Sequence, residues 1–177
     1  HRIQIPGTNR ALIVWVQGRH GGCFLVCSPS AGNLGSLQLA KRVPTATAIA
    51  HPNIAVCKYW GKRDSGLNLP AVPSLSLTVA PFHTRTCVEW GAAQDEVFLN
   101  HQKADDETHQ KVLRLLSLLD PWRPRCRVES ENNFPTAAGL ASSSSGMAAL
   151  VLAASAASGQ KRSVEELSAL ARQGSGS

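Results

Sequence analysis

The chain has 177 residues, 43% of them hydrophobic, which suits one domain with its own core and excludes a disordered chain. No apolar run is long enough to span a bilayer, so no membrane partner is expected. A net charge of +6 and a pI near 9.4 invite a nucleic-acid role, but the charge is unevenly placed. Residues 1–44 hold Arg2, Arg10, Arg19, Lys41 and Arg42 and no acidic residue, leaving 13 basic against 12 acidic side chains in the rest. That body lacks a basic stripe interleaved with aromatics, which excludes nucleic acid as a primary partner.

Residues 1–44 read as foreign to the domain. The chain begins at His1 and its one methionine is Met147, as if it lacked its own start. Ala11-Leu-Ile-Val-Trp-Val16 is apolar, but it is short for a signal peptide and no small-x-small cleavage site follows at once. The expectation is a disordered or artefactual leader with room for a short edge strand. Cys23, Cys27, Cys57, Cys87 and Cys126 are odd in number and lack paired C-x-x-C spacing with histidine partners. They are expected to be buried free thiols rather than a zinc site, in a reducing, cytoplasmic setting.

From Thr45 the pattern becomes regular. Residues 45–50 alternate as a strand, Pro52 ends it, and 54–60 follow as an extended or mixed segment. Residues 64–70 form a turn region. Residues 74–79, 84–90 and 96–100 read as further strands of an antiparallel or mixed sheet. Residues 105–119 form a helix with Val112, Leu115, Leu116 and Leu119 on one face, stopped by Pro121. Residues 125–130 alternate again. Residues 137–158 make a small-residue helix expected to be buried and closed by Gly159. Ser163-Val-Glu-Glu166 is a capping box opening a last helix, with Val164, Leu167, Leu170 and Ala171 as its apolar face. Strands followed by helices packed on one face give an α+β class.

The stretch Asn132-Asn-Phe-Pro-Thr-Ala-Ala-Gly-Leu-Ala-Ser-Ser-Ser-Ser-Gly146 leads from a strand into that small-residue helix. Small side chains let backbone N–H groups approach an anion, and the unpaired amides of a helix start favour negative charge. Serine hydroxyls can bond phosphate oxygens or a magnesium ion. No Walker A pattern occurs, and an ordinary serine-capped loop is the competing reading. A second constellation is Asn53-Ile-Ala-Val-Cys-Lys-Tyr-Trp-Gly-Lys-Arg-Asp64. Lys58, Lys62 and Arg63 could bind a diphosphate or carboxylate through charge-assisted bonds, with Tyr59 donating, Trp60 packing beneath and Gly61 letting the backbone turn. Its competing reading is a basic surface turn over a buried tryptophan.

Together these strings resemble a known family. Pro52-Asn-Ile-Ala, Lys58-Tyr-Trp-Gly-Lys-Arg-Asp64, the loop from Asn132 to Ser143, and Arg172-Gln-Gly-Ser-Gly-Ser177 are similar, in order, to the N-terminal signatures of the mevalonate diphosphate decarboxylases. The loop alone resembles the wider superfamily of galactokinase, homoserine kinase, mevalonate kinase and phosphomevalonate kinase. The resemblance implies the N-terminal domain of the GHMP kinase fold over 45–177. It also implies ATP-dependent decarboxylation of mevalonate 5-diphosphate to isopentenyl diphosphate.

By resemblance, Pro135, Ala138, Gly139, Leu140, Ala141, Ser142, Ser143 and Ser144 would wrap the phosphates of ATP, with Mg2+ between them. Tyr59, Trp60, Gly61, Lys62, Ser175, Gly176 and Ser177 would contact the substrate, with Asn53 and Lys58 as weaker candidates. His51 and His83 are expected to be structural. The family's catalytic arginine and aspartate fall past Ser177, so none of these residues is assigned a catalytic role and no turnover is expected of this stretch alone. It is expected to expose apolar surface that a second domain would cover. The full-length enzyme is expected to be a cytoplasmic homodimer. A related kinase that does not decarboxylate, or a non-catalytic phosphate-binding protein, are the alternatives.

Overall fold

Which sheet each alternating segment joins follows from what its two faces carry. The computed structural model describes residues 2–3, 12–16, 44–57, 61–135 and 142–175, the first two segments by backbone alone. In chain order the strands are β1 (Arg2–Ile3), β2 (Leu12–Val16), β3 (Thr45–Ala50), β4 (Asn53–Cys57), β5 (Lys62–Asp64), β6 (Leu69–Pro70), β7 (Leu75–Thr78), β8 (Thr84–Trp90), β9 (Glu96–Leu99) and β10 (Gln102–Lys103). Helix α1 (Asp106–Leu119), strand β11 (Cys126–Asn132) and helices α2 (Ser142–Ala157) and α3 (Val164–Ser175) follow.

The main sheet runs β10-β9-β11-β8-β3, and it is mixed: β11 pairs antiparallel with β8 and parallel with β9. On β8, Thr84, Thr86, Val88 and Trp90 are buried while Arg85 is exposed. Val97, Cys126, Val128, Ala48 and Ala50 are buried with them, under helices that all lie in contact with one core cluster. Helix α2 crosses β8 and β3 and carries α3 on its other side. A helix between two layers must be apolar all round, which is why α2 is built of Ala, Ser, Leu and Val without an amphipathic stripe. The α+β arrangement with helices on one face of a mixed sheet is the one expected from sequence.

Local signals behave as the sequence dictates. Asp105 caps α1 by accepting from the Thr108 N–H at 2.8 Å, and Val112, Leu115, Leu116 and Leu119 are its buried face. The capping box of α3 is reciprocal: the Ser163 N–H donates to Glu166 Oε2 at 2.8 Å, and the Glu166 N–H donates to Ser163 Oγ at 3.2 Å. Gly159 ends the α2 turn at φ +66°.

Several expectations are corrected. Val164 lies on the exposed side of α3, whose buried positions are Leu167, Ser168, Ala171 and Gly174. The first residue after a cap is still turning into the helix, so its side chain leaves the stripe that follows. Gly174 and Ser175 are part of α3. Cys57 is exposed, on a strand whose side chains are mostly exposed, while Cys87 is half-buried and Cys126 buried; all three are free. Burial pushes the Cys126 thiol up to about 12. The turn over 64–70 is a hairpin, β5 with β6, around the turn residues 65–68. Strands β1-β2-β7-β4 form a second sheet that periodicity did not separate from the first. Leu12–Val16, read as at most an edge strand, pairs with both β1 and β7. Ile54, Val56, Leu75 and Leu77 are exposed on this second sheet.

The loop before β9 is fixed by one ion pair. Asp95 accepts from Arg123 Nη1 at 2.8 Å and Nη2 at 3.2 Å, and from the Cys126 N–H at 2.9 Å. Burial disfavours the Asp95 charge, but these hydrogen bonds and the Arg123 charge outweigh it and hold the carboxyl below its ordinary value. A depressed carboxyl adds stability above its unfolded-state pKa, and that contribution is lost as pH falls through the lower folded value. Asp95→Asn should therefore cost about 2 kcal/mol at neutral pH. The deficit should shrink as pH falls below about 3.9, the unfolded carboxyl's value, and vanish once the folded carboxyl is protonated too. Urea unfolding at both pH values checks this; an equal deficit at each would remove Asp95 as the cause.

Candidate functional site

The approach to the serine-rich loop is pinned before the loop begins. Asn133 accepts from the His83 N–H through Oδ1 at 2.6 Å, and its Nδ2 donates to the Pro81 carbonyl at 2.9 Å. Phe134 is buried against Phe82, with ring centroids 5.7 Å apart. Thr84 Oγ1 donates to Asn132 Oδ1 at 2.6 Å and lies 2.7 Å from Ser145 Oγ. Ser145, buried, also reaches the Ser142 carbonyl at 3.2 Å, so its hydroxyl ties the start of α2 to β8. The four serines thus divide. Ser145 is committed to the core, Ser143 is exposed, and Ser142 and Ser144 are half-buried at the helix entrance. The first turn of α2 carries no acidic residue, so nothing on it opposes an anion at the positive end of the helix dipole. Pro135 is exposed at the near end of the loop. Ala138, Gly139, Leu140 and Ala141 lie outside the described residues.

The second constellation is a hairpin. Gly61, at φ +84°, accepts the Ala71 N–H at 3.2 Å, a backbone angle that glycine tolerates and L-residues resist. Lys62 Nζ donates to Asn68 Oδ1 at 2.7 Å. Asn53 is half-buried on β4, paired with Thr78 of β7. Lys58, Tyr59 and Trp60 lie outside the described residues, as do Gly176 and Ser177.

The hairpin and the end of α3 meet. Asn68 Nδ2 donates to the carbonyls of Arg172 and Gln173, both at 3.3 Å, and Arg172 Nε donates to the Leu67 carbonyl at 3.2 Å. Ser175, the last described residue of α3, lies one turn beyond Arg172 and approaches its carbonyl at 3.5 Å. Gly174 is the point where α3 presses on its neighbours: a Cβ there would sit 2.6 Å from Leu115 Cδ2 and 3.1 Å from Met147 Sδ. Motifs far apart in the chain are thereby brought to one end of the helical layer. Lys62 reaches the end of α3 through Asn68, and α3 packs on α2 one turn inside its serine start. Among the described residues, neither Lys62 nor Arg172 is ion-paired with a carboxylate.

Sequence reasoning missed Asn68, Asn132, Asn133 and Thr84 as organising residues. An asparagine pair beside an aromatic and a proline was the available signal for two of them. His51 and His83 lie together beside Phe82. His51 Nδ1 donates to the Phe82 carbonyl at 2.8 Å, and the two rings meet edge-on at 6.3 Å. Burial, then the neighbouring His51, lowers the His83 pKa below its ordinary value. The described residues contain no group of three or more His, Cys, Asp or Glu side chains able to hold a metal, and no helix long and apolar enough to cross a membrane.

Residues 50–177 match the family model described as the diphosphomevalonate decarboxylase-like N-terminal domain. The diphosphomevalonate decarboxylase of Aspergillus fumigatus is 46% identical over 157 residues, covering 77% of this chain and 39% of that protein. Among solved structures, the mevalonate diphosphate decarboxylase of Staphylococcus aureus superposes with a TM-score of 0.72 at 37% identity, over 78% of this chain and 44% of that one. The enzyme from Enterococcus faecalis, whose structure concerns mevalonate diphosphate mediated ATP binding, superposes with a TM-score of 0.68 at 43% identity, over 75% of this chain and 43% of that one. The chain therefore spans about two-fifths of the length of these relatives. Because this match covers most of its length, the chain belongs to the diphosphomevalonate decarboxylase family and carries its N-terminal domain.

Proposed function

We propose that this chain supplies the nucleotide- and diphosphate-binding part of an ATP-dependent decarboxylase acting on mevalonate 5-diphosphate. The observation that carries this reading is the convergence of the Lys62 hairpin with the end of α3, beside the serine entrance of α2.

The chemistry to be served is demanding. A tertiary hydroxyl is a poor leaving group, so it first takes a phosphoryl group from ATP. Departure of that phosphate leaves electron deficiency at the carbon β to the carboxylate. The C–C bond to the carboxylate then breaks, its electron pair becomes the double bond, and isopentenyl diphosphate, ADP, phosphate and carbon dioxide result. Such a transfer needs positioning and charge neutralisation more than covalent help.

The residues fit the groups to be held. The loop from Pro135 to Ser144 offers small residues and a helix start to the nucleotide phosphates, with the exposed Ser143 hydroxyl available as a ligand. The serine hydroxyls at the entrance of α2, that of the exposed Ser143 among them, would be the side chains here to help hold Mg2+, which would supply charge neutralisation. Lys62, with Tyr59, Trp60 and Gly61, binds the diphosphate end of the substrate, and Ser175, Gly176 and Ser177 border it. Asn53 and Lys58 support that side. No residue of this sequence is assigned as acid, base or nucleophile. We further assign the assembled enzyme to the cytoplasm as a homodimer, binding small molecules rather than nucleic acid or membrane.

The test is a chimera in which residues 50–177 replace the matching part of the Aspergillus fumigatus relative. Carbon dioxide release with ADP formation is expected. In that chimera Lys62→Ala should weaken substrate binding by about 1.5–3 kcal/mol, the worth of hydrogen bonds to a charged group. ADP without carbon dioxide would replace this reading with a kinase, and nucleotide binding without ADP would leave a binding protein.

A further inference from the structure

We propose that Asn68 is a positioning residue for the diphosphate site, holding the Lys62 ammonium in place without neutralising it; this rests on the reading that Lys62 binds the diphosphate. Lysine carries its charge on a long, flexible stem, and an unrestrained ammonium binds an anion only after losing that freedom. The Asn68 carboxamide removes the freedom in advance, accepting from Lys62 Nζ at 2.7 Å. An amide oxygen is neutral, so the full positive charge remains for an incoming anion. A carboxylate in the same place would cancel it.

The other end of the carboxamide solves a second problem. The last four carbonyls of a helix lack intrahelical donors and form the negative end of its dipole, a poor neighbour for a diphosphate. The carbonyls of Arg172 and Gln173 lie in the last described turn of α3. Asn68 Nδ2 covers both at 3.3 Å, and Arg172 Nε returns a bond to Leu67. Asn68 holds this position at φ +51°, in the left-handed region that asparagine and glycine occupy most readily. Asp64 sets the turn by accepting the Leu67 N–H at 2.9 Å. One side chain thus orients the cation on one strand and covers two carbonyls of α3 that would otherwise face the ligand.

The test is calorimetric titration of the full 177-residue chain with inorganic pyrophosphate. Asn68→Gly keeps the backbone angle and removes the carboxamide; it should weaken binding about tenfold. Asn68→Asp should weaken it more, because it adds a charge and loses the donor. In a Lys62→Ala background Asn68→Gly should lose most of its effect, while Asn68→Asp should keep only the part its added charge exerts directly on the anion; a merely structural role would leave both effects unchanged. If Lys62→Ala itself leaves affinity unchanged, or the unsubstituted chain does not bind, the underlying reading fails. If Lys62→Ala weakens binding while the Asn68 variants do not, or if they weaken it equally in both backgrounds, that reading stands and the role of Asn68 is overturned.

Discussion

Trp90→Ala should lower the unfolding free energy by about 4 kcal/mol, the largest single loss expected in this chain. Trp90 is 2% exposed at the end of β8, where its ring fills the space between the sheet and α2. Its indole N–H donates to the Ala154 carbonyl at 3.3 Å. That carbonyl also accepts from the Ser158 N–H at 3.0 Å and Ser158 Oγ at 2.9 Å, so truncation leaves it partnered. The loss is one of volume, and Trp90→Phe, which keeps most of the ring, should cost far less. Urea denaturation with an unchanged m-value measures both. A loss below about 1 kcal/mol for Trp90→Ala would mean that the sheet–α2 layer is not the core.

Gly174→Val should cost about 3 kcal/mol through overpacking. The added Cβ would meet Leu115 Cδ2 at 2.6 Å, and Leu115 is 1% exposed with little room to move. Valine adds two further methyl groups against Met147. The usual gain on replacing a helical glycine, up to about 1 kcal/mol, cannot offset this. Gly146, inside α2 with nothing within 4 Å of a built Cβ, is the control: Gly146→Ala should stabilise by about 0.5–1 kcal/mol. Opposite signs at the two glycines are the expected pattern in thermal and urea melts. Similar signs would show that close packing at Gly174 does not set its identity. Because Gly174 precedes Ser175, the valine variant should also loosen the α3 end that Asn68 holds.

Much of this was legible in the chain. Alternation marked β8, where Thr84, Thr86, Val88 and Trp90 point inward, and spacing marked the α1 stripe and the α3 capping box. These signals are local, and local physics decides them. What escaped were features with no local signature. Strands of two residues, such as Leu69–Pro70 and Gln102–Lys103, are too short to show a period. The partition of strands between two sheets depends on pairings between distant segments, as between β4 and β7. Asn68 bonds partners 104 and 105 residues away, which nothing in its neighbourhood announces. Gly174 sits in a glycine-serine string that looks like a tether, and only contact with Leu115 and Met147 shows why a glycine is needed inside a helix.

The most direct measurement is a two-dimensional amide NMR titration of the labelled chain, first with mevalonate 5-diphosphate and then with magnesium and ATP. The account predicts shifts at Lys62, Asn68 and Ser175 with the first ligand, and at Ser142, Ser143 and Ser144 with the second. Shifts confined to the open face of the main sheet, around Phe98, Arg127 and Glu129, with the hairpin and the start of α2 unmoved, would contradict it.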